Sequence, residues 1–223
     1  VKIKNIMTVC ILGNSLTALT LAKTLVNYEI DVDVISKKKT YKINDTRTIG
    51  ISKNNVDFFN SNIINIEKLT WNIKTIEIFS ENLKKEKLIN FKSDKNQLFS
   101  IIKNYKLHQL LYKELSKSKF FRLKFQIEKN LSYLNKYELV INCDPFNFIT
   151  KSYFSKKISK EYNSTAYTTI ISHNEITNNT AVQIFTKKGP LAFLPISNKK
   201  TSVVYSVHNS NNSEVENIKE LIK

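Results

Sequence analysis

Two short apolar runs flank an amphipathic segment near the beginning of the chain. Residues 6–12 are almost continuously apolar up to Gly13, which is typical of a strand buried in a parallel sheet. From Ser15 onward, apolar residues recur at spacings of three and four and predict a helix over 15–27. Residues 30–35 predict a second strand. A strand, a tight turn, a helix and a strand within about thirty residues is the unit with which dinucleotide-binding domains commonly begin.

The pattern mixes helices and strands up to Ala166 and contains mainly strands after it. Ser52 caps a predicted helix with Val56 and Phe59 on its apolar side, and four leucines predict a helix over 105–117. Further strands are predicted over 73–79, 86–91, 119–126, 138–143, 166–173, 180–187, 191–195 and 201–208, with a turn at Glu81-Asn82 and a last helix over 214–222. We expect two intertwined units: an α/β unit at both ends of the first 150 residues, and a β-rich unit from 70–100 and 160–208.

The formal net charge of +16 is spread along the chain. Lys, Ile and Asn make up 88 of 223 residues and Gly only 3, which is the composition expected of an AT-rich coding sequence. Arg47 and Arg122 are the only arginines, and no basic stripe is interleaved with aromatic residues. Since phosphate and base recognition favours the arginine guanidinium, the charge does not indicate specific binding of nucleic acid.

Cysteine usage and the N-terminal segment favour a cytoplasmic protein. Cys10 and Cys143 stand alone in apolar settings, which predicts two reduced thiols and excludes a structural zinc site. The apolar stretch over 7–25 is interrupted by Gly13-Asn14-Ser15, so we expect no signal peptide. No run reaches the roughly 18 apolar residues that a membrane-spanning helix needs.

The turn after the first strand is the first candidate for ligand binding. The three glycine positions of the dinucleotide-binding pattern G-x-G-x-x-G are occupied by Gly13, Ser15 and Ala18. The acidic residue expected at the end of the second strand is replaced by Ser36. By itself, this segment leaves open two interpretations: a site for a pyrophosphate at a helix N-terminus, or a strand-helix connection without a ligand.

Three further segments, in order along the chain, match motifs of one enzyme family. Asp45, Arg47 and Ser52 match D-x-R-x-x-A-L-S, with Gly50-Ile51 in place of Ala-Leu. Asp144 matches the first residue of D-G-x-x-S-x-x-R. Phe185 to Pro195 match F-x-x-x-G-P-L-A-x-L-P and precede a strand-like segment at 202–206. With these motifs, the chain resembles the UbiH-like FAD-dependent aromatic hydroxylases of ubiquinone biosynthesis, in the p-hydroxybenzoate hydroxylase superfamily.

The resemblance implies an α/β fold in which a Rossmann-like FAD-binding domain is interleaved with a β-rich substrate domain. It places the FAD-binding domain at 1–70 and 101–160, the substrate domain at 71–100 and 161–210, and a helix over 211–223 that would lead to a C-terminal part. In this family a Trp stands at the end of the helix that follows the D-x-R segment. Trp71, the only Trp of the chain, lies at the corresponding place and is expected to close that helix. The later G-D-A-A-H segment has no match, so the chain is expected to be a fragment or a truncated descendant.

The resemblance also implies the reaction and the residues that serve it. FAD would be reduced by NAD(P)H and would transfer oxygen from O₂ to a polyprenylated phenol, with no catalytic side chain and no metal. The cofactor-binding residues would be Gly13, Ser15, Ala18, Ser36, Arg47 and Asp144, and Gly189 and Pro190 would shape the loop on the substrate side.

Simpler interpretations of these residues remain open. Arg47 could be a solvated cation, Asp144 a turn former before Pro145, and Gly189-Pro190 a turn between strands. Two other functions also fit the sequence. The chain could be a catalytically inactive remnant that serves as a binding or assembly subunit, or a basic protein that lies at an anionic membrane, alone or with a ubiquinone-biosynthesis complex.

Overall fold

A computed structural model describes residues 7–37, 45–83, 86–93, 97–125, 132–154, 156 and 158–208. The helices are α1 (Leu16–Asn27), α2 (Lys53–Asn62), α3 (Asn104–Leu115) and α4 (Phe148–Tyr153). The strands are β1 (Thr8–Leu12), β2 (Asp31–Ser36), β3 (Thr48–Ser52), β4 (Thr70–Ile73), β5 (Thr75–Ser80), β6 (Lys87–Lys92), β7 (Phe99–Lys103), β8 (Phe121–Phe125), β9 (Leu139–Asn142), β10 (Ser164–Ser172), β11 (Thr180–Thr186), β12 (Gly189–Ser197) and β13 (Lys200–His208). The predicted helix over 214–222 lies outside the described residues.

A parallel four-stranded sheet with the order β8-β2-β1-β9 forms the α/β part of the fold. Successive side chains of β1 and β2 point to opposite faces of the sheet. On one face, Val9, Ile11, Val32 and Val34 pack with apolar residues of α1 and α3. Both faces of β1 are covered and its sequence is nearly continuously apolar, whereas in β2 valine alternates with Asp31 and Asp33. These two patterns are the ones that predicted the strands.

The opposite face of this sheet contains a buried ion-pair cluster. Asp33 is 2% exposed, and its carboxylate accepts hydrogen bonds from Arg122 Nε at 2.6 Å, from the Tyr137 hydroxyl at 2.6 Å and from Lys124. Arg122 also bonds Asp31 at 2.7 Å. These contacts connect β2 to β8 and to the turn before β9, so the cluster joins three segments of the sheet around one buried charge.

A small antiparallel sheet, β3-β7-β4, lies between the parallel sheet and the β-rich part of the chain. Ile101 of β7 and Ile73 of β4 pack with Ala181 of the β-rich sheet. The hydroxyl of Thr46 bonds Thr168 at 2.9 Å, and that of Thr48 bonds Ser202 at 3.2 Å. The segment around Arg47 is therefore attached to two strands of the β-rich sheet.

The β-rich part is a six-stranded sheet with the order β10-β13-β12-β11-β5-β6. All of its strand pairs are antiparallel except β11 and β5. The hairpin of β5 and β6 turns at Glu81–Leu83, which agrees with the predicted turn at Glu81-Asn82. The division into two domains stays a prediction.

The structure corrects several expectations about local structure. Trp71 does not close a helix: α2 ends at Asn62, and Trp71 lies in β4. Strands β3 and β7 and the short helix α4 were not expected. Strand β12 begins at Gly189 rather than near residue 191, so Gly189 and Pro190 lie in a strand and not in the preceding turn.

Candidate functional site

The turn between β1 and α1 has the conformation for which glycine is required. Gly13 has φ of +100°, and its N–H donates to the carbonyl of Ile35 at 2.8 Å. A β-carbon at Gly13 would lie 3.2 Å from Cβ of Asp144. Ser15 caps α1, since its hydroxyl accepts from the N–H of Ala18 at 3.4 Å. The chain therefore turns from the end of β1 into the N-terminus of α1 within three residues.

A crevice of about 370 Å³ opens where β1, β2 and β9 end. Its lining includes four of the residues predicted to bind the cofactor: Gly13, Ser15, Ser36 and Asp144. Strands β2 and β9 lie on opposite sides of β1, so the order of the strands in the sheet changes direction at β1. In open α/β sheets, ligands bind at such a switch point, at the carboxyl ends of the strands.

The loop after β9 is held by its own hydrogen bonds. The N–H of Asp144 donates to Asn142 Oδ1 at 3.1 Å, and its carboxylate accepts from the N–H of Phe146 at 3.0 Å. Asn147 caps α4, accepting from the N–H of Thr150 at 2.9 Å. Asp144 is thus both a turn former and part of the crevice lining, and the two interpretations of this residue are compatible.

His108 is a site residue that sequence reasoning missed. Its Nε2–H donates to the carbonyl of Asn14 at 3.0 Å and connects α3 to the turn. Burial lowers the pKa of His108, although the bond to the Asn14 carbonyl acts in the opposite direction, so the ring is neutral at pH 7. In the sequence, the only sign of this contact is that His108 directly follows Leu107, a residue of the buried face of α3.

Asn104 lies one helical turn before His108 and therefore on the same face of α3. Its Oδ1 atom is buried and accepts no hydrogen bond from any residue that the structure describes. A buried acceptor without a donor costs free energy, roughly 1–3 kcal/mol. The donor that such an atom lacks could come from a bound molecule.

Four of the predicted site residues do not line this crevice. Ala18 is fully buried among the apolar residues that join α1 to the sheet, so it permits close helix-strand packing and cannot face a ligand. Arg47 is exposed, and its carbonyl accepts from the N–H of Asn104 at 3.1 Å. Gly189 and Pro190 begin β12, where Gly189 approaches the backbone of Ser206. The roles of Arg47, Gly189 and Pro190 toward cofactor or substrate stay predictions.

The segment after the crevice exposes large apolar side chains. Phe146, Tyr153, Phe154, Ile158 and Tyr162 are all more than two thirds exposed. Exposed lysines at 151, 156 and 160 alternate with them. None of the helices in the part of the chain that the structure describes has the length and apolar content needed to cross a bilayer.

No protein-family model matches the sequence, and no curated protein matches it. Solved structures do match the fold. Klebsiella pneumoniae HpxO complexed with FAD and uric acid has a TM-score of 0.72 at 11% identity, over 93% of this chain and 58% of HpxO. PqsL, a probable FAD-dependent monooxygenase from Pseudomonas aeruginosa, has a TM-score of 0.69 at 11% identity, over 91% and 60%. The 2,6-dihydroxypyridine-3-hydroxylase from Arthrobacter nicotinovorans has a TM-score of 0.69 at 13% identity, over 95% and 59%.

These similarities show a shared fold of mixed α/β type with parallel and antiparallel sheets, which agrees with the fold class that the resemblance implied. The chain spans about three fifths of the length of these proteins. The residues at the crevice are suitable for the nucleotide part of FAD: the tight turn at Gly13 allows close approach to a phosphate, and the first turn of α1 contains no acidic side chain that would repel it.

Proposed function

We propose that this chain binds FAD in the crevice at the ends of β1 and β9, as part of a monooxygenase that acts on an aromatic substrate. The observation that carries this proposal is the juxtaposition of Gly13 and Asp144 at the switch point of the parallel sheet. The two residues are far apart in the sequence and belong to two separate motifs of the resemblance. In the fold they lie side by side in the lining of one crevice.

In this proposal the residues in and around the crevice share the binding of the nucleotide. Gly13 and the N-terminus of α1 hold the phosphates, because the backbone N–H groups and the helix dipole favour an anion there. Ser36, at the end of β2, offers a hydroxyl to the ribose where a carboxylate was expected. His108 holds the turn in position through its hydrogen bond to Asn14. When bound, the flavin supplies the redox and oxygen chemistry.

The finer parts of the proposal rest on the motifs of the sequence. The substrate is a polyprenylated phenol of ubiquinone biosynthesis, and NAD(P)H is the reductant. Support comes from the match over Phe185 to Pro195, which contains one of the three glycines and two of the three prolines of the chain. In this proposal Gly189 and Pro190 shape the substrate side, and Arg47 contributes a positive charge toward the flavin.

Peripheral contact with a membrane belongs to the same proposal. What supports it is the set of exposed apolar side chains after the crevice, namely Phe146, Tyr153, Phe154, Ile158 and Tyr162, with exposed lysines at 151, 156 and 160 between them. Aromatic residues are favoured at the membrane interface, and lysines are attracted to anionic headgroups. We expect the chain to co-sediment with vesicles that contain phosphatidylglycerol, and the variant with Phe154→Ser and Ile158→Ser to remain in the supernatant. Equal recovery of both proteins with the vesicles would contradict this contact.

The decisive experiment is the absorbance spectrum of the purified chain, between about 350 and 500 nm, after incubation with excess FAD and desalting. Two retained flavin bands would support the cofactor, and a folded but colourless chain would contradict it. A chain that retains FAD is then assayed for oxidation of NAD(P)H in the presence and absence of a prenylated phenol. Oxidation that the phenol does not stimulate would contradict the substrate and leave the cofactor supported.

A further inference from the structure

A second cavity, which the proposed function does not use, lies where the three-stranded sheet meets the six-stranded sheet. Its volume is about 220 Å³. Three lysines from three elements converge on it: Lys68 from the turn before β4, Lys103 from the end of β7, and Lys106 from α3. The apolar wall is formed by Trp71 and Ile196. We call this cavity the lysine pocket.

In the described part of the chain, no carboxylate lines the lysine pocket. Neither Lys68, Lys103 nor Lys106 forms a salt bridge with any residue that the structure describes. Lys103 and Lys106 lie 5.9 and 6.0 Å from the centre of the Tyr105 ring, which gives each of them only a weak attraction.

Burial lowers the pKa of Lys103, and the positive charges of Lys200 and Lys106 lower it further. The carboxylate of Asp45 acts in the opposite direction with a smaller effect. Lys103 and Lys106 also lie at the positive end of the α3 dipole, where cations are unfavourable. The pocket thus holds several like charges together, and an anion between them would relieve their repulsion.

We propose that the lysine pocket binds the phosphate group of a small phosphorylated molecule. Three ammonium groups match a dianion, and Lys side chains recognise phosphate as point charges. Trp71 and Ile196 contact the organic part of the ligand. The volume suits a phosphate with a small substituent and excludes a dinucleotide, so this site is separate from the crevice. The inference is independent of the proposed function.

Trp71 is the only Trp of the chain, so its fluorescence reports directly on this pocket. The full chain is titrated with inorganic phosphate and with phenyl phosphate at constant ionic strength, which is maintained with sodium chloride. We expect a saturable change in Trp71 emission with both probes. Tighter binding of phenyl phosphate would identify a phosphate ester as the ligand, and equal affinities would identify free phosphate. No saturable change with either probe would overturn the proposal.

Matched variants separate a site from general charge. Lys103→Gln and Lys106→Gln are each expected to weaken binding about tenfold, the loss that one charge-assisted contact of roughly 1.4 kcal/mol corresponds to. Lys113→Gln removes the same charge from an exposed position of the same helix and is expected to bind as the original chain does. Far-ultraviolet circular dichroism checks that each variant is folded. Equal weakening in all three variants would show screening by the overall charge and would contradict a pocket.

Discussion

Gly13 and Asp144 approach each other so closely that a β-carbon on Gly13 would lie 3.2 Å from Cβ of Asp144. Asp144 can therefore lie this close to the turn only because Gly13 has no side chain. Gly13→Ala combines this contact with an unfavourable positive φ, and we expect it to lower the free energy of unfolding by about 1–3 kcal/mol and to abolish retention of FAD. Urea denaturation and the flavin spectrum measure the two effects.

Gly50→Ala is the control for this prediction. Gly50 does not have a positive φ, and a β-carbon there would lie 3.4 Å from a ring carbon of Phe99, which is close to ordinary contact. We expect a smaller loss of stability and retained FAD. If Gly13→Ala and Gly50→Ala behaved alike, the special conformation of the turn would not matter for binding.

The neutral ring of His108 predicts a dependence of stability on pH. Because burial lowers its pKa in the folded chain, the unfolded chain binds more protons as the pH falls below about 6.5. Protonation of His108 therefore favours unfolding in mildly acidic solution. We expect His108→Gln, which can still donate to the Asn14 carbonyl, to lose less stability between pH 7 and pH 5 than the original chain loses. Parallel stability curves for the two proteins would argue against this role.

The ion-pair cluster around Asp33 predicts sensitivity to stronger acid. Burial alone would raise the pKa of Asp33, but hydrogen bonds from Lys124, Tyr137 and Arg122 hold it below its ordinary value. This stability is present above pH 4 and is lost as the pH falls through the lowered pKa. We expect Asp33→Asn to lower the free energy of unfolding by about 3 kcal/mol at pH 7.

The exposed pair of Lys53 and Asp57 provides the comparison for the Asp33 prediction. Its ammonium and carboxylate are 2.6 Å apart, and both side chains are more than half exposed. Exposed pairs contribute little, so Asp57→Asn should change the free energy of unfolding by less than about 1 kcal/mol. Chemical denaturation of Asp33→Asn and Asp57→Asn measures the two losses in the free energy of unfolding. Similar losses in the two would mean that burial does not strengthen the Asp33 cluster.

The two cysteines should differ in reactivity, and only one should respond to a nucleotide. Burial raises the pKa of Cys10 to about 12, with a further contribution from Asp33, whereas Cys143 is half-buried and lines the crevice. We expect iodoacetamide at pH 8 to modify Cys143 first, because the thiolate is the reactive form. Saturating FAD should slow this modification, as measured by mass spectrometry of peptides. Labelling of Cys143 that FAD leaves unchanged would place the nucleotide elsewhere.

The elements that the sequence predicted well are those that bury a whole face or both faces. The predicted bounds of β1, α1 and β2 lie within two residues of the observed ones, because periodicity reflects burial directly. Strands β3 and β7 were missed since each continues into a helix without a turn, at Lys53 and at Asn104. The sequence contains no glycine or proline at either junction to indicate the change.

The candidate site was predictable where a motif specifies backbone geometry, and not where it depends on long-range contact. Gly13 and Asp144 follow strands, so their positions at one edge of the sheet follow from the topology. The bond between His108 and Asn14 joins residues 94 positions apart, and no local pattern encodes it. The burial of Ala18 was implicit in its helix spacing, which places it on the face that packs against the sheet.

Gly189 limits how the β-rich sheet can assemble. A β-carbon at this position would lie 1.9 Å from the carbonyl oxygen of Ser206 in the neighbouring strand. If β12 slipped by one residue against β13, Lys188 or Pro190 would take this place, and neither residue suits the positive φ that Gly189 has there. A single glycine thus selects one alignment of the central strands against incorrect ones during folding. In a chain with only three glycines, this one contributes to the specificity of assembly.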